Sequence, residues 1–236
     1  MTPMPRVPIR GQCARPPAPA GAAATGDAVG GTAHTGDRSS PAPLLRERGF
    51  WVFGYGSLIW KPGFPYLERR PARLKGYRRA FRLTSIRYRG TPERPGLVLG
   101  LDWDPNATCT GVAFRVCPTR DEEVRDYLAE RELVTRSYFE VLHPITLLGD
   151  PEIGRLPEEV EAICYILDRT HPQYAGPIGL DEQAAIIAAA HGPMGSNAEY
   201  LHETAAALRA MGIVDRDIDT LDTLVRTILA EAAKNA

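Results

Sequence analysis

Two stretches of this 236-residue chain carry residue types that could do chemistry. The first is "FWVFGYGSLIWKPGFPY", residues 50–66, where a strand-like run ends in a turn. Gly56 there permits unusual backbone angles and the close approach of another group. Successive N–H groups in such a turn could form a nest for a carboxylate, with the Ser57 hydroxyl as a further donor. Two familiar glycine motifs do not fit. A dinucleotide fingerprint needs glycine where Ile59 stands and a helix where Lys61-Pro62-Gly63 breaks the chain. A nucleophile elbow centred on Ser57 needs glycines in place of Tyr55 and Ile59. A tight turn between strands, with Trp51, Phe53 and Trp60 in the core, would account for the same residues without any ligand.

The second stretch is "PTRDEEVRDYLAERELVTRSY", residues 118–138. Thr119, followed three residues later by Glu122, reads as a capping box and predicts a helix over 121–134. At roughly 100° per residue, Val124, Tyr127, Leu128 and Val134 mark an apolar face. Arg131 falls inside that face and Glu132 at its border, whereas Glu130 points away. Charge on a buried face is costly unless it is paired or functional. The residues leave two readings open: a structural Arg131–Glu132 pair, or Glu132 as an acid/base group whose pKa burial raises.

The elements that must position these groups are legible in outline. Short β-rich runs occur at 51–58, 72–84, 96–103, 110–116, 139–148 and 160–167, separated by Pro and Gly clusters. Helical patterning interrupts them at 121–134 and takes over from Asp181 onward. That order argues for an α+β fold or a mixed β-barrel with an inserted helix and a helical C-terminal segment, not regular βαβ alternation. Before it, residues 1–48 are poor in bulky apolar side chains, and Pro, Gly, Ala and Thr dominate up to about Ser40. They read as a disordered tail, because such a segment cannot offset its own ordering entropy. Arg6, Arg10 and Arg15 precede no apolar run, so the tail does not read as a secretory signal. The folded domain is expected over 49–236.

Composition excludes several function classes. A net charge of −1 supplies no basic face for nucleic acid or an anionic membrane, which leaves a small molecule as the expected partner. No apolar run approaches the roughly 20 residues that span a bilayer. Cys13, Cys109, Cys117 and Cys164 form no C-x-x-C pair, and the histidines form no H-E-x-x-H, so no metal is expected.

With these residues in hand, the chain resembles the ChaC family of gamma-glutamylcyclotransferases, in the branch that acts on glutathione. The resemblance rests on four spaced motifs: "WVFGYGSLIWKPGFPY", "RGTPERPGLVLGL" from Arg89, "YLAERELVTRSY", and "QYAGP" with "GPMGSNAEYLHETAAALRAMGI". It implies a small mixed β-barrel with flanking helices and a cytoplasmic lyase that needs no cofactor or metal. It further implies that Tyr55, Gly56, Ser57 and Leu58 bind the gamma-glutamyl group and that Glu132 is the catalytic acid/base. The substrate would be glutathione, cyclised to 5-oxoproline with release of Cys-Gly. Two other activities stay open: turnover of other gamma-glutamyl amino acids or amines, and gamma-glutamyl binding without turnover. Some relatives carry two glycines before the tyrosine matching Tyr138, where this chain has Arg136-Ser137. Arg89 reads either as a neighbour of a substrate carboxylate or as a solvated loop cation.

Overall fold

The computed structural model describes residues 49–235; the tail expected over 1–48 lies outside the described residues. Five strands close a barrel in the order β1-β3-β2-β4-β5. They are β1 (Trp51–Gly54), β2 (Tyr66–Ser85), β3 (Gly96–Val116), β4 (Tyr138–Leu147) and β5 (Glu158–Leu167). β1 runs antiparallel to β3 and parallel to β5, and that parallel pairing, Trp51 with Ala162 and Val52 with Ile163, closes the ring. Alternating inward residues fill the interior: Phe53, Phe81, Phe114, Tyr165, Leu74 and Leu101 are almost wholly shielded from solvent. The architecture is the expected mixed barrel.

The runs 96–103 and 110–116 prove to be one continuous strand. Asp104, Pro105 and Asn106 look like a turn in sequence, but pairing with β2 resumes beyond them, at Thr108 with Lys75 and Cys109 with Leu74. The extra residues are absorbed as a bulge opposite Gly76, whose φ of 83° is open to glycine at little cost. Bulges of this kind bend long strands enough to wrap a small barrel. β1, in turn, stops at Gly54 and not at Leu58, because Ser57–Ile59 wind into a 3-10 turn in which the Ile59 N–H donates to Gly56 O at 2.9 Å.

Helix α1 (Asp121–Glu132) joins β3 to β4. The capping box does not form: Pro118–Arg120 make a 3-10 turn, and Arg120 occupies the N-cap without a side-chain bond. Asp121, Glu122 and Glu123 instead place negative charge in the first turn, where the helix dipole favours it. Val124 and Leu128 are buried as expected, but the helix ends before Val134, which is 47% exposed. Arg136, in the tight turn before β4, adopts a left-handed φ of 55°. Glycine visits that conformation freely and arginine does not, so the departure seen in sequence has a backbone cost.

The C-terminal segment folds as α2 (Leu180–Ala189), a short hairpin of β6 (His191–Gly192) and β7 (Gly195–Ser196), α3 (Asn197–Ala210) and α4 (Arg216–Lys234). Side chains cap both of the last two helices: Ser196 accepts from the Glu199 N–H at 3.0 Å, and Asp215 from the Ile218 N–H at 3.2 Å. α4 buries Ile218, Leu221 and Val225 against α2 and α3, at the i, i+3, i+7 spacing of one helix face. Cys109 and Cys164 are buried free thiols. No helix among the described residues is long and apolar enough to cross a membrane.

Candidate active site

Tyr55, Gly56, Ser57, Leu58 and Glu132 all line one cavity of about 340 Å³ at the end of the barrel, although 77 positions separate the outermost of them. The turn arrives from β1 and Glu132 from the last turn of α1. Between them stands Arg131, which fastens the two together. Its Nη1 donates to Lys61 O at 2.7 Å, Pro62 O at 3.0 Å and the Tyr127 hydroxyl at 2.8 Å, and its Nη2 donates to Ser57 Oγ at 2.8 Å. Its Nε lies 3.1 Å from Glu132 Oε1. The structural pair anticipated from sequence is therefore present, and most of its guanidinium is spent on the turn.

Glu132 is half-buried, with 17% of its side chain exposed, and loss of solvent raises its pKa above the ordinary glutamate value despite the opposing pull of Arg131. Glu130 is exposed on the other side of the helix. Three tyrosines face Glu132: Tyr55 and Tyr200, which are buried, and Tyr138, which is half-buried. Burial and mutual proximity push the hydroxyls of Tyr55 and Tyr138 well up, and burial lifts that of Tyr200 to about 12. All three stay protonated donors at neutral pH. The Tyr138 hydroxyl donates to Leu99 O at 2.7 Å. That of Tyr200 lies 3.1 Å from where a Cβ on residue 56 would stand, so a side chain there would crowd the hydroxyl and push it back by a few tenths of an ångström.

The turn is also held from behind. Arg79 in β2 is buried and donates through Nε to Tyr55 O at 2.5 Å, through Nη2 to Thr110 O at 2.6 Å and through Nη1 to Asp215 Oδ2 at 2.6 Å. Because the 3-10 turn begins at Ser57, its first N–H groups have no partner within the turn. Sequence reasoning missed Arg79, Tyr138, Tyr165 and Tyr200. Tyr200 sits inside a quoted motif, but nothing in its spacing shows that α3 returns to the mouth of the barrel. Among the described residues, no group of three or more His, Cys, Asp or Glu side chains stands close enough to hold a metal ion.

The family model for ChaC-like protein matches residues 50–230. The chain is 37% identical over 185 residues to gamma-glutamylcyclotransferase 2-3 of Arabidopsis thaliana, an alignment covering 77% of this chain and 91% of that one. It is 36% identical over 181 residues to the glutathione-specific gamma-glutamylcyclotransferase of Escherichia coli (strain K12), covering 77% of this chain and 74% of the relative. Among solved structures, the gamma-glutamyl cyclotransferase specific to glutathione from yeast matches with a TM-score of 0.67 at 30% identity. That match covers 77% of this chain and 99% of the yeast chain.

Proposed function

This chain belongs to the ChaC-like protein family, and from that premise we propose that it is a glutathione-specific gamma-glutamylcyclotransferase. It cyclises the gamma-glutamyl group to 5-oxoproline and releases Cys-Gly. The observation that carries the reading is the meeting, in one cavity, of the Tyr55–Leu58 turn with a sheltered carboxylate of raised pKa. Glutathione is a cytosolic thiol, and the cytoplasm is the place proposed for the enzyme.

The reaction is intramolecular. The α-nitrogen of the glutamyl group attacks its own side-chain carbonyl carbon, a five-membered ring closes, and the amide bond to the cysteine nitrogen breaks. Water is not consumed. Nucleophile and electrophile share one molecule, so the enzyme must chiefly hold a reactive conformer; effective molarities of about 10⁵ to 10⁸ M show how much of a barrier positioning can remove. In our reading the turn at Gly56, Ser57 and Leu58 grips the α-carboxylate, with Tyr55 walling the pocket. Glu132 takes a proton from the α-ammonium, which is not nucleophilic until it loses one, and returns a proton to the departing cysteine nitrogen. General acid–base help of this kind is worth about 10²- to 10⁴-fold. Incubation of the purified protein with glutathione should yield 5-oxoproline and Cys-Gly in equal amounts, and failure to form either would refute the assignment.

Two expectations follow from this chemistry. Glu132 works as the base only when ionised, so kcat/KM should fall as pH drops through its pKa. That inflection should lie above the roughly 4.3 of an unperturbed glutamate, because burial raises it. A rate–pH profile flat down to the ordinary carboxylate range would contradict the assignment. Chelators should leave turnover unchanged, since ring closure needs no Lewis acid. Loss of activity in EDTA that zinc or magnesium restores would overturn the mechanism.

A further inference from the structure

The far wall of the cavity is built by the loop after β2 and by the β6–β7 hairpin. Met194 N–H donates to Tyr88 O at 3.0 Å and Arg89 N–H to Ser85 Oγ at 3.0 Å, so hairpin and loop are pinned to each other and to the strand end. Out of this wall comes the Arg89 side chain, only 11% exposed. Its guanidinium carbon lies 5.6 Å from the centroid of the Tyr200 ring, and the hydroxyl of that ring reaches toward Gly56. Tyr200 thus spans the interval between the glutamyl-binding turn and Arg89.

Arg89 is not fully used by the fold. Nη1 donates to Ser196 O at 3.0 Å and to Glu199 Oε2 at 2.7 Å. Among the described residues, Nε and Nη2 make no hydrogen bond. The other cations lining the cavity differ from it: Arg131 is committed to the turn, while Lys61 and Arg87 are exposed. Against these four cations the lining offers one carboxylate, Glu132. The one anionic partner of Arg89 among the described residues, Glu199, is 56% exposed and takes only Nη1, so the rest of the planar fork is open to a second carboxylate, which its geometry suits.

We propose that Arg89 is a specificity-determining residue that receives the carboxylate at the C-terminal end of the leaving group, the glycine carboxylate of glutathione. This rests on the functional reading above, which already places the other carboxylate of glutathione at the turn. It makes the site selective for gamma-glutamyl peptides that end in a free carboxylate over gamma-glutamylamines.

The test compares glutathione with its C-terminal amide, in which only that charge is removed, in the parent enzyme, Arg89→Met and Arg89→Lys. The parent should favour glutathione in kcat/KM by about ten- to a hundredfold, the range of a hydrogen bond to a charged group. Arg89→Met should bring that ratio close to one, and Arg89→Lys should keep part of it. A purely structural role, or a contact with the α-carboxylate, would lower both substrates together and leave the ratio at the parent value, which overturns the inference. A parent that turns over both compounds equally well overturns it too, while leaving the cyclotransferase reading intact. If the parent releases 5-oxoproline from neither, the functional reading fails and this inference with it.

Discussion

Glu132→Gln is expected to lower kcat on glutathione by about a hundredfold or more, with only a modest change in KM. The substitution keeps shape and a hydrogen-bond acceptor for the Arg131 Nε, so it removes basicity and little else. Glu130→Gln should stay within a few-fold of the parent, because the two positions differ by about 160° around the helix and only Glu132 reaches the cavity. A melting measurement separates lost chemistry from lost structure, and its sign follows from the pKa. Folding raises the pKa of Glu132, so the folded state binds its proton more tightly, and this group's contribution to stability falls as pH rises through the window above the unfolded value. At neutral pH Glu132→Gln should therefore melt no lower than the parent, and the difference should vanish in acid. Equal rates for the two glutamine variants, or near-parental 5-oxoproline release by Glu132→Gln, would reduce Glu132 to the partner of Arg131.

Arg79→Met should cost about 3–5 kcal/mol, the usual consequence of removing one partner from a buried ion pair. In a domain of this size that is a fall in melting temperature on the order of 10 °C. The arginine side chain is 2% exposed and satisfies two carbonyls and one carboxylate, while methionine fills much of the same volume and satisfies none. Asp215 would be left as a mostly sheltered charge without its cation. The double variant Arg79→Met, Asp215→Asn should recover part of the loss, since asparagine still caps α4 and carries no charge. Activity should fall further than stability alone explains, because the Tyr55 carbonyl loses its anchor at the base of the turn. A melting temperature within a few degrees of the parent would show that the turn holds its shape without Arg79.

What could be read from the residues alone was whatever is local. Strand alternation, the Gly56 turn, the helix over most of 121–134 and the placement of Glu132 rather than Glu130 toward the interior all depend on neighbours within a turn or two. Quoted motifs then tied these pieces to a family, and with it to a barrel. Local reasoning failed where a distant partner outweighed local preference. Asp104-Pro105-Asn106 looks like a loop, yet it is carried as a bulge because β2 runs alongside it on both sides. Thr119 looks like a cap, yet the chain leaving β3 winds a 3-10 turn first. Only the folded chain could show that Arg79, more than a hundred positions before Asp215, buries its charge beneath Tyr55, or that α3 returns Tyr200 to face Glu132. Barrel closure is a long-range event, and the raised pKa of Glu132 is a property of everything that closure packs around it. Its position was legible in the sequence because it follows the helical period; its environment was not, because water is excluded by residues drawn from strands and helices that no local pattern connects.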